Sequence, residues 1–327
     1  MTISSQSDRF RAGTMAIVSR ALDGSSATDD TGYALAVSGG PDSMAMLALA
    51  HAAFPGRIAA ATFDHRLRDG SAGEAAMVAA ACATLGIPHA TLVPDKPIAG
   101  ASLQRQAREA RYAALVAWAA GRPLLTAHHA DDQAETLLMR LNRASGLAGL
   151  AGIRAVRWAG GTPILRPLLD WRREELRVIA EGSGLGFVDD PSNTDVRHDR
   201  TRIRASLIAT PTLDPAALAA SAAFLGDAEE ALRYHADILW SDRWHGPDRG
   251  MDVADLPREM RRRLLRRALI ESRRSLAIVL PPFSEASNVE PLLDALARGV
   301  GAVQGGVKVT PLPTGWTFRA APPRRSH

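Results

Sequence analysis

Two short polar runs carry residue types that do chemistry on phosphates and cations. The first is Ser38-Gly39-Gly40-Pro41-Asp42-Ser43, between an apolar run and a helical pattern. Glycines let a backbone come close to an anion, and a starting helix offers unpaired N–H groups and a positive dipole end. Pro41 suits the first helical position, where a missing N–H costs nothing. The run matches neither G-x-G-x-x-G nor G-x-x-x-x-G-K-S/T, so neither a dinucleotide fold nor a P-loop kinase is indicated. A Gly-Gly turn can be purely structural, but an aspartate and two serines in the same turn favour an anion site. The second run is His128-His129-Ala130-Asp131-Asp132-Gln133-Ala134-Glu135-Thr136. Asp132 and Glu135, three apart, share one helix face, where two carboxylates suit a cation or an ammonium group. The plainer alternative is an acidic helix start that complements its dipole, capped near Ala130 or Asp131. Adjacent histidines point in different directions and no cysteine assists, which disfavours zinc.

The elements that must position these runs follow from periodicity. Short apolar stretches at Tyr33–Val37, Ile58–Phe63, Ala90–Val93 and Leu124–Ala127 predict strands. Between and after them, Ser43–Ala53, Gly73–Leu85, Ser102–Ala120 and Asp131–Ala144 predict helices. Such alternation implies an α/β fold with a parallel sheet covered on both faces, and ligands of such sheets bind at the strands' carboxyl ends. Both polar runs fall there. After Ser145 come a Gly-rich link, Gly146–Gly152, then Arg166-Pro167-Leu168-Leu169 and Asp189-Asp190-Pro191-Ser192-Asn193. From Asp214 onward the pattern is mainly helical, ending in a β-hairpin around Val307–Phe318 and a disordered tail, Pro322–His327. These readings place a first domain over residues 1–210, with its ordered core from about 30, and a smaller, mainly helical second domain over 211–327.

Composition narrows the function classes. The 327 residues are 46% hydrophobic and 23% charged, as expected of a soluble globular protein. No membrane span or secretory signal is legible, so a cytoplasmic protein is expected. The single cysteine, Cys82, cannot make an internal disulfide or a cysteine-ligated cluster and reads as a small buried hydrophobe. Net charge is +4, and lysine occurs only at Lys96 and Lys308, so arginine carries the positive charge. That composition fits a polyanionic partner. The clusters Arg197, Arg200, Arg202, Arg204 and Arg261, Arg262, Arg263, Arg266, Arg267 are either phosphate contacts or solvated helix faces.

The S-G-G-x-D-S run resembles the PP-loop of the N-type ATP pyrophosphatases. Several further stretches are similar, in order and spacing, to the tRNA(Ile)-lysidine synthases within that class. They are Phe63-Asp64-His65-Arg66-Leu67-Arg68 with Ser71 and Glu74, Gln106–Tyr112, Arg143–Leu150, Arg166–Leu169 and Asp190–Asn193. The likeness covers roughly 33–205 well and is weaker beyond. Two departures stand out: Ala144 replaces a glycine of the family's link, and Thr201 follows Arg200 where the family commonly has asparagine. The end at His327 leads to the expectation of a shorter member.

The resemblance implies an ATP-dependent ligase. Its RNA partner would be tRNA(Ile) with anticodon CAU, and free L-lysine would be joined to the wobble cytidine; a homodimer is left open. Ser38, Gly39, Gly40, Pro41, Asp42 and Ser43 would hold ATP, with Asp42 near Mg²⁺. Asp42, Arg111, Asp132 and Glu135 are the candidate catalytic residues, Arg111 (or Arg108) stabilising the adenylate. Arg108, His129, Asp132, Glu135, Arg200 and Arg204 are the candidates for binding substrate, the two carboxylates receiving lysine. Two other readings stay open: an ammonia-using PP-loop synthetase, and a non-catalytic RNA-binding protein. A cysteine-dependent tRNA thiolase fits less well, because Cys82 stands alone.

Overall fold

The computed structural model describes residues 3–22, 32–67, 70–98, 100, 102–189 and 199–322. The sequence readings at Arg68, Asp190-Pro191-Ser192-Asn193, Arg197 and the tail after Pro322 lie outside the described residues. Two compact units are present, Met1–Gly226 and Asp227–His327.

The first unit runs α1 (Ile3–Ala21), β1 (Tyr33–Ala36), α2 (Pro41–Ala53), β2 (Ile58–Phe63), α3 (Ser71–Thr84), β3 (His89–Leu92), α4 (Leu103–Ala119), β4 (Leu124–Leu125) and α5 (Ala130–Leu141). There follow α6 (Leu147–Leu150), the hairpin β5 (Val156–Ala159) and β6 (Thr162–Leu165), α7 (Arg173–Ser183), α8 (Asp199–Ala209) and α9 (Pro215–Arg243), a helix that extends past Gly226. The sheet order is β3-β2-β1-β4-β6-β5, parallel throughout except for edge strand β5, which is antiparallel to β6. Successive side chains of a strand point to opposite faces. Tyr33 and Leu35 accordingly join the larger core with α1, α2 and α7, while Ala34 joins Tyr112, Leu115 and Ala119 of α4 on the other face. Helix α2 buries Met44, Met46, Leu47 and Leu49 on nearly all sides, as a helix enclosed in a core must.

Chain order explains why the two polar runs meet. From β1 the chain moves outward through β2 and β3, then returns to place β4 on the other side of β1. This reversal is a topological switch point, where a crevice opens at the carboxyl ends. The Ser38–Ser43 loop leaves β1 there, and His128–Glu135 leaves β4 beside it.

Two sequence readings need correction. Order does not begin at about 30: α1 buries Phe10, Thr14 and Val18 completely, and Arg9 stacks 4.0 Å over Trp171 while pairing with Asp170 and Glu175 at 3.1 Å. Its polar texture hid a narrow buried stripe. The β5–β6 hairpin was not foreseen, although Gly160 and Gly161, both at positive φ (52° and 78°), build its two-residue turn. The domain boundary read near 210 falls between α8 and α9, whereas the compact units divide inside α9. A continuous helix has no linker composition to mark a division.

Ala144, which stands where the family has glycine, adopts φ 51°. The position requires the left-handed conformation, and a side chain there costs about 1 kcal/mol.

The second unit adds β7 (Met251–Asp252), α10 (Arg258–Ser275), α11 (Glu290–Ala297), β8 (Ala302–Gln304), β9 (Val307–Pro311) and β10 (Gly315–Ala320). The hairpin read from sequence is β9–β10, widened by β7 and β8 into the antiparallel order β7-β10-β9-β8. Its core gathers Leu264, Leu265 and Leu269 of α10 against Leu292, Val309 and Phe318. Among the described residues no helix is long and apolar enough to cross a membrane.

Candidate active site

The Ser38–Ser43 loop is locked from within. The Ser38 N–H donates to Ser43 Oγ at 3.1 Å, the two hydroxyls lie 3.2 Å apart, and Ser43 Oγ donates to the Gly40 carbonyl at 2.9 Å. Gly39 sits at φ +88°, and a Cβ there would meet Met77 Cε at 3.3 Å and Val78 Cγ2 at 3.4 Å, so the turn requires glycine. Gly40 caps α2 with Pro41 next, which leaves the first-turn N–H groups for a ligand and brings Asp42 into that turn. The Val188 N–H closes the loop from outside on the Gly39 carbonyl at 2.9 Å.

Across the switch point, α5 is capped by His129 rather than by Ala130 or Asp131. The His129 N–H donates to Asp132 Oδ2 at 3.2 Å. The imidazole is 1% exposed and stands among three carboxylates: Nε2 is 3.4 Å from Asp42 Oδ2 and 3.6 Å from Asp132 Oδ2, and Nδ1 is 3.6 Å from Asp131 Oδ2. Burial opposes its protonation, but Asp132, Asp131 and Asp42 outweigh burial and raise its pKa to about 9. The same positive charge helps hold Asp131 and Asp132 below the usual carboxylate range against their own burial. His128 is the opposite case. Burial pushes it down to about 3, with Arg166, Arg108 and Arg200 adding to the effect and Asp132 resisting it. Neighbouring histidines thus hold different charges, the first neutral and the second cationic.

His129 therefore joins the two runs through Asp42 and Asp132. Asp42 Oδ1 is buried and has no hydrogen-bond partner among the described residues, so a cation would satisfy it. Mg²⁺ characteristically takes one or two carboxylates together with substrate phosphates. Among the described residues no group of three or more His, Cys, Asp or Glu side chains forms a metal cage by itself.

Asp132 and Glu135 lie together on α5, and both are already paired. Glu135, 1% exposed, meets Arg200 Nε at 2.6 Å, Arg204 Nε at 2.6 Å and Arg173 Nη2 at 3.4 Å. Asp132 Oδ1 meets Arg200 Nη2 at 2.6 Å. Burial lowers and the two carboxylates raise the Arg200 pKa, the carboxylates prevailing. Arg200 and Arg204, read as tRNA contacts, thus reach the carboxylates read as the lysine site. A cavity of about 440 Å³ adjoins them, lined by Asp131, Glu135, Arg172, Arg173 and Arg204 among others.

Sequence reading missed Arg172 and Arg173. Asp131 Oδ2 accepts the Arg173 N–H at 2.8 Å and lies 3.3 Å from Arg172 Nε, which docks the start of α7 on α5. A signal was present, since two arginines opening a helix oppose its dipole and point to nearby carboxylates. Asp64, in the second-strand motif, accepts the Arg66 N–H at 2.8 Å, and a Ser71 hydrogen bond keeps its pKa low. Arg108 and Arg111 stand on α4 around Tyr112, their guanidinium carbons 5.0 and 5.5 Å from its ring centre. Cys82 is buried, and burial raises its thiol to about 11, which leaves it unreactive.

Three of the α10 arginines are engaged by acids of their own unit. Arg263 pairs with the buried Glu229 at 2.6 Å and with Glu259 at 2.9 Å; Arg262 pairs with Glu259 and Glu290; Arg267 meets Asp237 at 2.6 Å and lies 4.5 Å over Trp240. These pairs rivet the second unit, and Arg266 alone of the five carries no ion pair or backbone hydrogen bond among the described residues.

The family model described as PP-loop domain matches residues 15–210. A tRNA(Ile)-lysidine synthase of Novosphingobium aromaticivorans is 42% identical over 340 aligned positions, covering 99% of this chain and 97% of its own length. The chain belongs to the tRNA(Ile)-lysidine synthase family. A second synthase, from Zymomonas mobilis, is 38% identical over 89% of both chains. The solved structure of a U34-tRNA thiolase from Methanococcus maripaludis has the same fold, with TM-score 0.52 at 17% identity, over 65% of this chain and 77% of that one. As a lysidine synthase family member, the chain is a ligase of the ATP-using PP-loop class. It carries a glycine turn at the start of α2 and paired carboxylates on α5.

Proposed function

We propose that this chain adenylates the wobble cytidine of tRNA(Ile) bearing anticodon CAU and then attaches L-lysine to it. The cytidine O2 attacks the α-phosphate of ATP and pyrophosphate leaves. The lysine ε-amine then displaces AMP at C2 and gives up a proton, yielding lysidine. The observation that carries this reading is the His129 bridge, which sets the PP-loop Asp42 and the α5 carboxylate Asp132 on one imidazolium, 3.4 and 3.6 Å away.

In this reading the Ser38–Ser43 backbone cradles the departing pyrophosphate, and its serine lock keeps the N–H groups aimed before ATP arrives. Mg²⁺ held at the unpartnered Asp42 oxygen would neutralise charge on those phosphates. His129 holds Asp42 and Asp132 in place and tempers their mutual repulsion. Arg111, half-buried with its pKa lowered by burial, stabilises the adenylate.

Lysine recognition falls to Asp132 and Glu135 by exchange. Arg200 and Arg204 now occupy positions that an ammonium group would take, so lysine enters as α8 releases them. A tRNA phosphate offers those arginines an alternative anion, which couples lysine entry to tRNA binding. Small-molecule amidation by ammonia would leave this arginine density without a purpose. The test is AMP release from ATP with and without lysine, and with and without purified tRNA bearing CAU. Dependence on both supports the reading, whereas lysine-independent turnover with ammonia would replace it.

A further inference from the structure

On the face of the sheet covered by α4, four arginines surround one tyrosine. Tyr112 is buried at 8% exposure, and the guanidinium carbons of Arg108, Arg111 and Arg157 lie 5.0, 5.5 and 5.6 Å from its ring centre. Arg166, 4% exposed, is within hydrogen-bond reach of the Tyr112 hydroxyl, which partly offsets the cost of its burial. None of the four forms an ion pair with a carboxylate among the described residues. The arginines at Glu135 and several on α10 find acids, and Arg122, Arg140 and Arg273 find backbone carbonyls instead. Here like charges are gathered without a carboxylate among them; Arg166 Nη1 donates to the Arg154 carbonyl, and its buried Nε has no hydrogen-bond partner among the described residues. Packing on a tyrosine ring accounts for one or two arginines but not for four, since each added charge repels the others. An anion bound at the rim would remove that cost.

The cluster is also in the right place. Thr126, at the end of β4, donates its N–H to the carbonyl of Leu165, the residue before Arg166, and His128 follows two positions later. Arg166 and Arg108 both act electrostatically on His128. Arg157 is carried there by the β5–β6 hairpin, whose turn packs on α4 through Gly160 and Val116. Arg108 and Arg157 are exposed while Arg166 is buried, so the site has an open rim and a closed back. ATP phosphates already have the glycine turn at α2. An RNA strand entering the crevice needs cations along its backbone, and phosphodiester contacts fix its register.

We propose that the exposed Arg157 and Arg108, with the buried charge of Arg166 behind them, bind a phosphodiester of the RNA strand beside the nucleotide that reacts. The inference rests on the reading that the substrate is tRNA. Arg157 is exposed on an edge strand, so Arg157→Gln should fold with an unchanged melting temperature.

The experiment measures the tRNA dissociation constant of wild type and R157Q across salt concentrations, together with the KM for ATP. The expected result is weaker tRNA binding and a salt slope shallower by about 1. Between about 50 and 200 mM salt the wild type then loses roughly fourfold more affinity than the variant. ATP KM stays as in the wild type. A raised ATP KM with tRNA affinity and slope intact would assign the cluster to nucleotide phosphate and overturn the proposal. No change in either would reduce it to packing on Tyr112 and overturn it equally. Wild-type AMP release that ignores CAU tRNA would instead sink the broader functional reading, independently of how R157Q binds RNA.

Discussion

His129→Gln is the most informative single perturbation, because it removes the one cation that Asp42, Asp131 and Asp132 share. The imidazole is 1% exposed and its pKa rises from an ordinary 6.5 to about 9. That difference corresponds to about 3 kcal/mol in favour of the folded state. The raised pKa fixes the sign. The folded protein holds a proton that the unfolded chain has released, so the contribution is complete below about pH 6.5. It is lost progressively as pH rises through about 9. The assay is urea unfolding of wild type and H129Q in metal-free buffer from about pH 6 to about pH 10. The wild type should be more stable at the acid end, and the gap should narrow by about 3 kcal/mol toward the alkaline end. In thermal melts of the first unit the same narrowing is roughly 6–12 °C. Parallel curves across that range, or an imidazole that titrates near its ordinary pKa by NMR, would refute the reasoning.

The remaining predictions concern neighbouring parts of the molecule. Asp42→Asn should fold normally yet lose AMP formation by at least a hundredfold, about 3 kcal/mol of barrier, read by pyrophosphate release; near-wild-type turnover would remove Asp42 from the mechanism. Asp132→Asn and Glu135→Gln should raise the lysine KM with ATP binding unaltered, and loss confined to ATP binding would hand the pair to the metal. Arg263→Ala should lower the stability of the second unit by about 3 kcal/mol by stranding the buried Glu229, measured by chemical denaturation. Loss of tRNA affinity at unchanged stability would restore Arg263 as a phosphate contact.

Much of the site could be read from residue order alone. The glycine turn, its proline and its aspartate announce a strand–helix anion loop by local backbone rules, and four strands and four helices follow from periods of two and 3.6. That Asp132 and Glu135 share a face is likewise a property of any helix. The composition of Cys82's surroundings announced a buried, inert thiol. Tertiary structure decided everything that depends on which distant segment arrives. Strand order brought β4 beside β1, and only then could His129 stand between Asp42 and Asp132 and become a cation. Helix α8 delivered Arg200 and Arg204 to carboxylates some 65 positions earlier in the chain, turning expected RNA contacts into ion pairs. The α10 arginines met acids of α9 and α11 for the same reason, because a charge's partner is a matter of distance in space and leaves no periodic trace in sequence. The cluster around Tyr112 is the clearest case. Arg108, Arg111, Arg157 and Arg166 come from α4, β5 and the end of β6, and nothing about their spacing shows that three face one ring and the fourth its hydroxyl, with no ion-paired acid among the described residues.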